Sequence, residues 1–108
     1  LVTPESPIEK TMYFIAMNAP ERLEIKITKS EFVIGKLPSV DGPVSFNKWI
    51  SRRHCTIYKK GNQYMIKDMD TPNKTYINGK RLEPEQLYNI KNGDIVRLAN
   101  SNFQVVIK

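Results

Sequence analysis

The chain has 108 residues, of which 40% are hydrophobic, and its 17 Lys and Arg residues against 11 Asp and Glu give a formal net charge of +6. This length suits one hydrophobic core and argues against two domains. No apolar run approaches the roughly 20 residues that cross a bilayer, and no signal peptide is recognisable. The positive charge favours an anionic partner, namely nucleic acid, anionic lipid, or acidic or phosphorylated protein.

The single cysteine, Cys55, cannot form an internal disulfide, and the Cys and His residues lack metal-ligand spacing. We therefore expect no metal or other cofactor and a reducing, cytoplasmic setting. The chain begins with Leu1 rather than Met, which indicates a segment of a longer protein. Residues 1–10 contain Thr-Pro and Ser-Pro pairs and predict a linker or flexible tail. A single domain should then occupy residues 11–108.

From Met12 onward the pattern predicts β-strands. Residues 12–17 form an apolar run, and residues 23–28 alternate between apolar and polar side chains, which is typical of a half-buried strand. Residues 31–36 predict another short strand. The next segment, residues 37–48, is rich in turn-forming residues and predicts a loop.

The second half of the chain continues the same pattern of short strands. Residues 55–59 and 63–68 predict a hairpin, and residues 75–77 precede a turn at Asn78-Gly79. Two more strands are predicted on either side of a turn at residues 100–102. Helical periodicity is nowhere sustained, and residues 83–87 could form one helical turn at most. The chain is therefore predicted to be all-β, as an antiparallel sandwich or barrel.

Three polar segments lie between the predicted strands: Gly35-Lys36, Ser51-Arg52-Arg53-His54 and residues 73–79. Each borders a strand, so a rigid sheet could hold each in place. The second segment supplies a hydroxyl and two guanidiniums, which are groups suited to binding phosphate oxygens. The sequence thus predicts an anion site built on loops.

Gly35-Lys36, Ser51-Arg52-Arg53-His54, Asp68 and residues 71–79 resemble, in order and separation, the motifs of the forkhead-associated (FHA) domain. The resemblance covers roughly residues 12–108. It implies a twisted antiparallel β-sandwich of two sheets with binding loops at one end. It also implies a module that docks phosphothreonine-containing peptides in Ser/Thr kinase signalling, with no catalysis and no cofactor.

The resemblance implies that Ser51 and Arg52 bind the phosphate and that Asn73 binds the peptide backbone beside the phosphothreonine. Strand alternation should turn Arg53 away from the face that Arg52 occupies. His54 lacks a partner nucleophile or a metal-ligand set nearby in the sequence, so we expect it to hold the binding loop through backbone hydrogen bonds. Gly35, Asn78 and Gly79 complete the expected structural support, with Asn78-Gly79 as a hairpin turn.

Two positions depart from the family pattern. Lys36 replaces the usual Arg, and a lysine ammonium cannot offer a bidentate fork. Pro72 replaces a usual Thr or Ser and has neither a hydroxyl nor an N–H, so Thr71, one residue earlier, is the candidate replacement. The expected phosphate contacts are therefore Lys36, Ser51, Arg52 and Thr71.

Other functions remain open at this stage. The same fold could serve a phosphate-independent protein interaction, for which an exposed Trp49 or Phe46 would be the sign. A small basic nucleic-acid-binding domain fits the charge, although the lysines are scattered rather than clustered. An enzyme is the least supported class, because the acidic residues fall at turns without a recognisable nucleophile or base. We expect the isolated domain to be monomeric.

Overall fold

Eleven β-strands account for the regular structure of residues 10–108, the part of the chain that the computed structural model describes. The strands are β1 (Met12–Ala16), β2 (Glu24–Lys26), β3 (Glu31–Gly35), β4 (Gly42–Pro43), β5 (Cys55–Lys60), β6 (Gln63–Asp68), β7 (Thr75–Ile77), β8 (Lys80–Arg81), β9 (Leu87–Ile90), β10 (Ile95–Leu98) and β11 (Ser101–Ile107). Within these residues, no helix has the length and apolar character needed to cross a membrane.

The strands form two sheets. One has six strands in the order β2-β1-β11-β10-β7-β8, and the other has five in the order β4-β3-β5-β6-β9. The strand pairs are antiparallel except for β3 with β4, which run parallel over two residue pairs. The predicted sandwich is confirmed, with this short parallel pair as an addition. Pro43 fits at this position because β4 is an edge strand, where a missing N–H leaves no ladder bond unmade.

The core lies between the two sheets and is built by strand alternation. Phe14 of β1 and Phe103 of β11 are fully buried, with ring centroids 6.1 Å apart. On the other sheet, Ile57 and Ile66 face each other across the β5–β6 hairpin and are also fully buried. Side chains from both sheets thus share one core, as the chain length predicts.

Most predicted strands are present, but two local predictions are wrong. The last turn lies at Ala99-Asn100 rather than at residues 100–102, because Ala99 adopts a left-handed φ of 58° and Ser101 already belongs to β11. Residues 83–87, for which one helical turn at most was expected, make none, and Leu87 opens β9, a strand whose alternation is too short to recognise. The expected 37–48 loop contains β4. The predicted tail falls on residues 1–9, which lie outside the described residues, and on exposed Lys10.

The β7–β8 hairpin turns at Asn78-Gly79, as predicted. Both residues have positive φ, 50° and 84°, which is the backbone that a tight two-residue hairpin turn requires. Asn78 also fastens the turn to β10, because its Oδ1 accepts the Ile95 N–H at 2.9 Å and its Nδ2 donates to Asp94 at 3.0 Å. The asparagine therefore has a side-chain function in addition to its tolerance of positive φ.

We expect Asn78→Ala to lower the free energy of unfolding by about 2 to 3 kcal/mol, because it removes two hydrogen bonds and because Ala tolerates the positive φ of this position less well than Asn does. Asn78→Gly loses the same bonds without that backbone strain and should cost about 1 kcal/mol less. Urea denaturation of both variants measures the difference. Equal losses would show that the backbone conformation of Asn78 contributes nothing to its role.

Candidate functional site

The candidate site lies at one end of the sandwich, where loops from both sheets meet. Antiparallel pairing brings the end of β3 and the end of β6 beside the start of β5, and the start of β7 beside the end of β10. The segments that gather there are residues 36–41, 44–54, 69–74 and 99–100. The structure thus brings together the predicted residues Gly35, Lys36, Ser51, Arg52, His54, Thr71 and Asn73.

Asn78 and Gly79 lie elsewhere, contrary to the expectation that they support the binding loops. Strand β7 runs between the 69–74 loop and this turn, so the two residues sit at the opposite end of the strand. There they hold the start of β10, through the bonds from Asn78 to Ile95 and Asp94. The polar segment 73–79, continuous in sequence, is therefore divided between the two ends of the sandwich.

Gly35 permits close packing of the Arg52 segment against β3. A Cβ added at Gly35 would lie 2.0 Å from the Arg52 carbonyl oxygen and 2.7 Å from its carbonyl carbon, which are backbone atoms that cannot swing aside. The adjacent Lys36 N–H donates to the Ser51 carbonyl at 2.9 Å, and the Leu37 N–H donates to that of Arg52 at 3.2 Å. Glycine is therefore required here by close approach of two backbones.

The fully buried imidazole of His54 connects two loops. The Ser51 N–H donates to Nδ1 at 3.0 Å, so Nδ1 carries no proton. Nε2 must then carry it, and donates to the Lys74 carbonyl at 2.9 Å. Burial lowers the pKa of His54, and the Lys74 and Asp68 oxygens oppose that effect only in part. The ring is held neutral and serves as a bridge between residues 51 and 74.

The buried carboxylate of Asp68 organises the 69–74 loop from inside. Its oxygens accept the Thr71 hydroxyl at 2.7 Å, the Thr75 hydroxyl at 2.7 Å and the Thr71 N–H at 3.1 Å. Thr71 is only 2% exposed, and both of its donors are directed to Asp68. The structure therefore does not present Thr71 to a phosphate, because this hydroxyl is used to stabilise the loop.

Three carboxamides join the loops, two of them exposed (Asn73 and Asn100) and one buried (Asn47). Asn73 Nδ2 donates to the Trp49 carbonyl at 2.9 Å, and the Trp49 N–H donates to Asn47 Oδ1 at 2.9 Å. The amide nitrogen of Asn47 lies 2.6 Å from both Asn100 Oδ1 and Ser101 Oγ. The role of Asn47 was not foreseen from the sequence, where it falls within a segment predicted only as a loop. Its side chain contacts Trp49 in its own loop, Asn100 in another loop and Ser101 at the start of β11, and no sequence motif marks these contacts.

Exposed cations surround this framework. Arg52 and Lys36 are exposed, and Ser51 is half-buried. Within residues 10–108, the ion pair found is Lys29 with Asp41 at 2.8 Å, so neither Arg52 nor Lys36 is neutralised by a carboxylate of this part of the chain. The pKa of Asp41 is lowered mainly by Lys29, and the charge of Arg53 contributes slightly. Arg53 therefore has its own nearby anion.

A shallow groove lies beside these cations, lined by Trp49, Asn73, Ala99 and Asn100. Trp49 is 54% exposed, and the Lys48 ammonium is 5.1 Å from its ring centroid. Phe46, by contrast, packs against the core. An extended peptide crossing this end of the molecule would meet an aromatic surface, a carboxamide and a cluster of positive charge.

Burial raises the pKa of the Cys55 thiol well above its usual range, so the thiol is not a nucleophile at neutral pH. Among residues 10–108, no three His, Cys, Asp or Glu side chains are placed to share a metal ion. What the arrangement offers is a set of hydrogen-bond donors and cations for an anionic ligand.

We expect Gly35→Ala to lower the free energy of unfolding by about 1 to 3 kcal/mol or more, because the added methyl forces the Arg52 backbone away from β3. Gly61→Ala is the control for displacement, because its Cβ would enter open space: it should cost about 1 to 2 kcal/mol through its φ of +61° and leave residues 51–53 unmoved. Chemical denaturation and backbone amide shifts of residues 51–53 test both variants. Unmoved amides at residues 51–53 in Gly35→Ala would contradict the close-packing argument.

The pKa of His54 predicts a specific pH dependence of stability. Because the pKa is lowered in the fold, the unfolded chain binds the proton more readily, and stability is complete above about pH 6.5 and falls below it. His54 is the only histidine, so few other groups titrate between pH 5 and 7. Denaturation across this range, with an NMR titration of the ring, measures the effect. A ring that titrates at or above pH 6.5 in the folded protein would refute the assignment.

Comparisons with known proteins agree with this description. The chain is similar to the E3 ubiquitin-protein ligase CHFR of Xenopus laevis, with 28% identity over 94 residues that cover 85% of this chain and 15% of that protein. It is also similar to the probable E3 ubiquitin-protein ligase dma1 of Schizosaccharomyces pombe, with 38% identity over 56 residues, which are 48% of this chain and 21% of that protein. The chain thus spans less than a quarter of the length of either relative.

Solved structures share the fold. The N-terminal FHA domain of S. cerevisiae Rad53p, in complex with a phosphothreonine peptide, has a TM-score of 0.79 and 14% sequence identity, covering 91% of this chain and 94% of that chain. The sequence profile of the FHA domain matches residues 32–99, which is more than half of the chain. The chain belongs to the FHA domain family.

Proposed function

We propose that this domain is a phosphothreonine-dependent docking module in Ser/Thr kinase signalling and that it catalyses no reaction. The observation that carries the proposal is the Ser51-Arg52 segment, whose backbone is bound on one side by β3 and on the other by His54. A hydroxyl and a guanidinium are thereby held at the surface without an internal anion. Phosphothreonine, with about −1.5 to −2 charges and three acceptor oxygens, is the matching ligand.

In this proposal the phosphate is bound by Ser51, Arg52 and Lys36. Arg52 supplies charge-assisted hydrogen bonds, Ser51 donates its hydroxyl, and Lys36 contributes a point charge from the neighbouring loop. Thr71 is omitted because both of its donors bind Asp68. Pro72 is exposed and adds no donor. Three side chains therefore replace the four expected from the sequence.

Asn73 is proposed to bind the peptide backbone. Its Nδ2 is used by the Trp49 carbonyl, and within residues 10–108 its Oδ1 makes no hydrogen bond. A carboxamide oxygen fixed in this way can accept an N–H of an extended peptide. The hydrogen bond from Asn73 to Trp49 already fixes this amide group, so the peptide would bind a side chain that is held in place beforehand.

The protein that contains this domain is proposed to use it for recruitment. Two relatives are named as E3 ubiquitin-protein ligases, and this chain spans only a small part of each. We assign no ligase activity to residues 1–108, and propose a cytoplasmic setting in which a kinase supplies the phosphothreonine. Residues 1–10 would be the linker and residues 11–108 the domain, monomeric in isolation.

A phosphate-independent interaction is the second candidate, and the exposure of Trp49 favours it. At 54% exposed, this indole is a large apolar surface at the same end of the domain. Aromatic side chains often anchor protein interfaces. Such an interaction would depend on Trp49 and would be insensitive to loss of Arg52, which separates the two candidates.

We expect Arg52→Ala to weaken binding of a phosphothreonine peptide at least about tenfold, because a hydrogen-bonded charge pair is lost. Arg53→Ala is the matched control, since it removes the same charge one residue away and should change affinity less than about threefold. Peptides selected from a degenerate phosphothreonine library serve as ligands, and calorimetry gives the affinities. Trp49, the only tryptophan, provides an independent fluorescence signal beside the groove.

The unphosphorylated peptide of the same sequence is the second control and should not bind. Raising the salt concentration should weaken the phosphopeptide complex, since exposed charges are screened. Equal affinity for the two peptides, or unchanged binding by Arg52→Ala, would overturn the proposal. If Trp49→Ala then abolished binding, the phosphate-independent interaction would replace phosphothreonine docking as the proposed function.

A further inference from the structure

A second cleft lies at the opposite end of the sandwich from Ser51 and Arg52. Strand β5 has six residues and runs from one end to the other, so the two sites are separated by roughly 17 Å at about 3.3 Å per residue step. The cleft has a volume of about 530 Å³. It is lined by Lys10, Lys59, Asn62, Gln63, Tyr64, Asn89, Ile90, Lys91, Asn92 and Ile107.

The lining is positively charged and rich in hydrogen-bond donors. It contains three lysines and four carboxamide side chains, with no Asp or Glu. The described residues 10–108 provide no carboxylate within ion-pair distance of Lys10, Lys59 or Lys91. Asp94 lies three residues after Lys91, but its carboxylate accepts the Lys91 backbone N–H and the Asn78 side-chain amide and does not pair with the Lys91 ammonium. As far as residues 10–108 are concerned, the cleft therefore gathers lysines that no carboxylate pairs.

Several of these groups are held in fixed positions. The Lys59 ammonium lies 3.5 Å from the Lys10 carbonyl and 5.7 Å from the ring centroid of Tyr64. The Tyr64 hydroxyl donates to the same carbonyl at 3.1 Å, and Asn92 Oδ1 accepts the Ile107 N–H at 2.8 Å. This leaves the Nδ2 donors of Asn92 for a ligand. Ile107 and the buried Ile90 supply the apolar part of the lining.

We propose that this cleft binds a small polyphosphate or a small-molecule phosphate ester. Lysine ammoniums are compact point charges, which suit the tetrahedral oxygens of a phosphate without demanding planar geometry. Carboxamides add donors for the remaining oxygens. The volume falls within the roughly 300 to 1,000 Å³ of small-molecule sites. An extended nucleic acid would instead need a continuous basic stripe, and the other lysines of this chain are scattered.

The test is a titration of the whole chain, residues 1–108, with inorganic tripolyphosphate at about 150 mM NaCl, followed by two-dimensional amide NMR. Using the whole chain lets residues 1–9 compete for the cleft if they have affinity for it. We expect saturable shifts of the cleft residues that persist in Arg52→Ala, with a submillimolar dissociation constant. Replacing Lys59 and Lys91 together by Gln should weaken binding at least about tenfold.

A matched variant, Lys26→Gln with Lys80→Gln, removes the same charge from exposed positions outside the cleft and should change affinity less than about threefold. Arg52→Ala should leave tripolyphosphate binding at the cleft intact, so this inference can fail or succeed independently of the phosphopeptide proposal. Equal weakening in the two double variants would overturn it. The inference would also be overturned if tripolyphosphate shifted the amides of lysines throughout both sheets. It would likewise be overturned if a short single-stranded oligonucleotide bound and tripolyphosphate did not.

Discussion

The binding end of this domain depends on a neutral, buried imidazole. His54 accepts the Ser51 N–H and donates to the Lys74 carbonyl, so one ring joins the segment before β5 to the segment before β7. Protonation would place an N–H at Nδ1, directly facing the N–H of Ser51, and would break the first of these bonds. The lowered pKa of His54 is therefore a requirement of the loop geometry as well as a result of burial.

This bridge explains how a cluster of unpaired charge can be maintained. Arg52 and Lys36 are exposed cations on two neighbouring loops, and like charges repel each other. Here the Arg52 backbone is held by Gly35 and Leu37 on one side and by the His54 contact with Ser51 on the other. Because the backbone is fixed before any ligand arrives, less conformational entropy is lost on binding. The residues that hold the backbone rigid therefore also keep the Arg52 charge exposed at a fixed place.

The sequence was sufficient for the strands and for the order of the main motifs, because alternation and turn residues are local signals. Gly35 and His54 could be assigned supporting roles, since their motifs recur in a known family. The function of Asn47 could not be foreseen, because its bonds to Asn100 and Ser101 join residues more than fifty positions apart. Thr71, which was expected at the phosphate, differs from Asn47, because its partner is local: Asp68, only three positions earlier, accepts both the Thr71 N–H and the Thr71 hydroxyl.

The reduced donor set still permits selective binding, and the magnitudes indicate why. Hydrogen bonds to charged groups contribute roughly 1.5 to 3 kcal/mol each, so even two such bonds from Ser51 and Arg52 favour phosphorylated over plain threonine by several kcal/mol. The extra methyl of phosphothreonine over phosphoserine is worth only about 0.8 kcal/mol by burial. The preference for phosphorylated over unphosphorylated threonine should therefore be strong. The preference for phosphothreonine over phosphoserine depends on how closely a pocket fits one methyl group. In the proposed binding mode, the hydroxyl that Pro72 lacks would reduce the first of these preferences, and the fixed Ser51-Arg52 backbone would retain the donors that supply the rest.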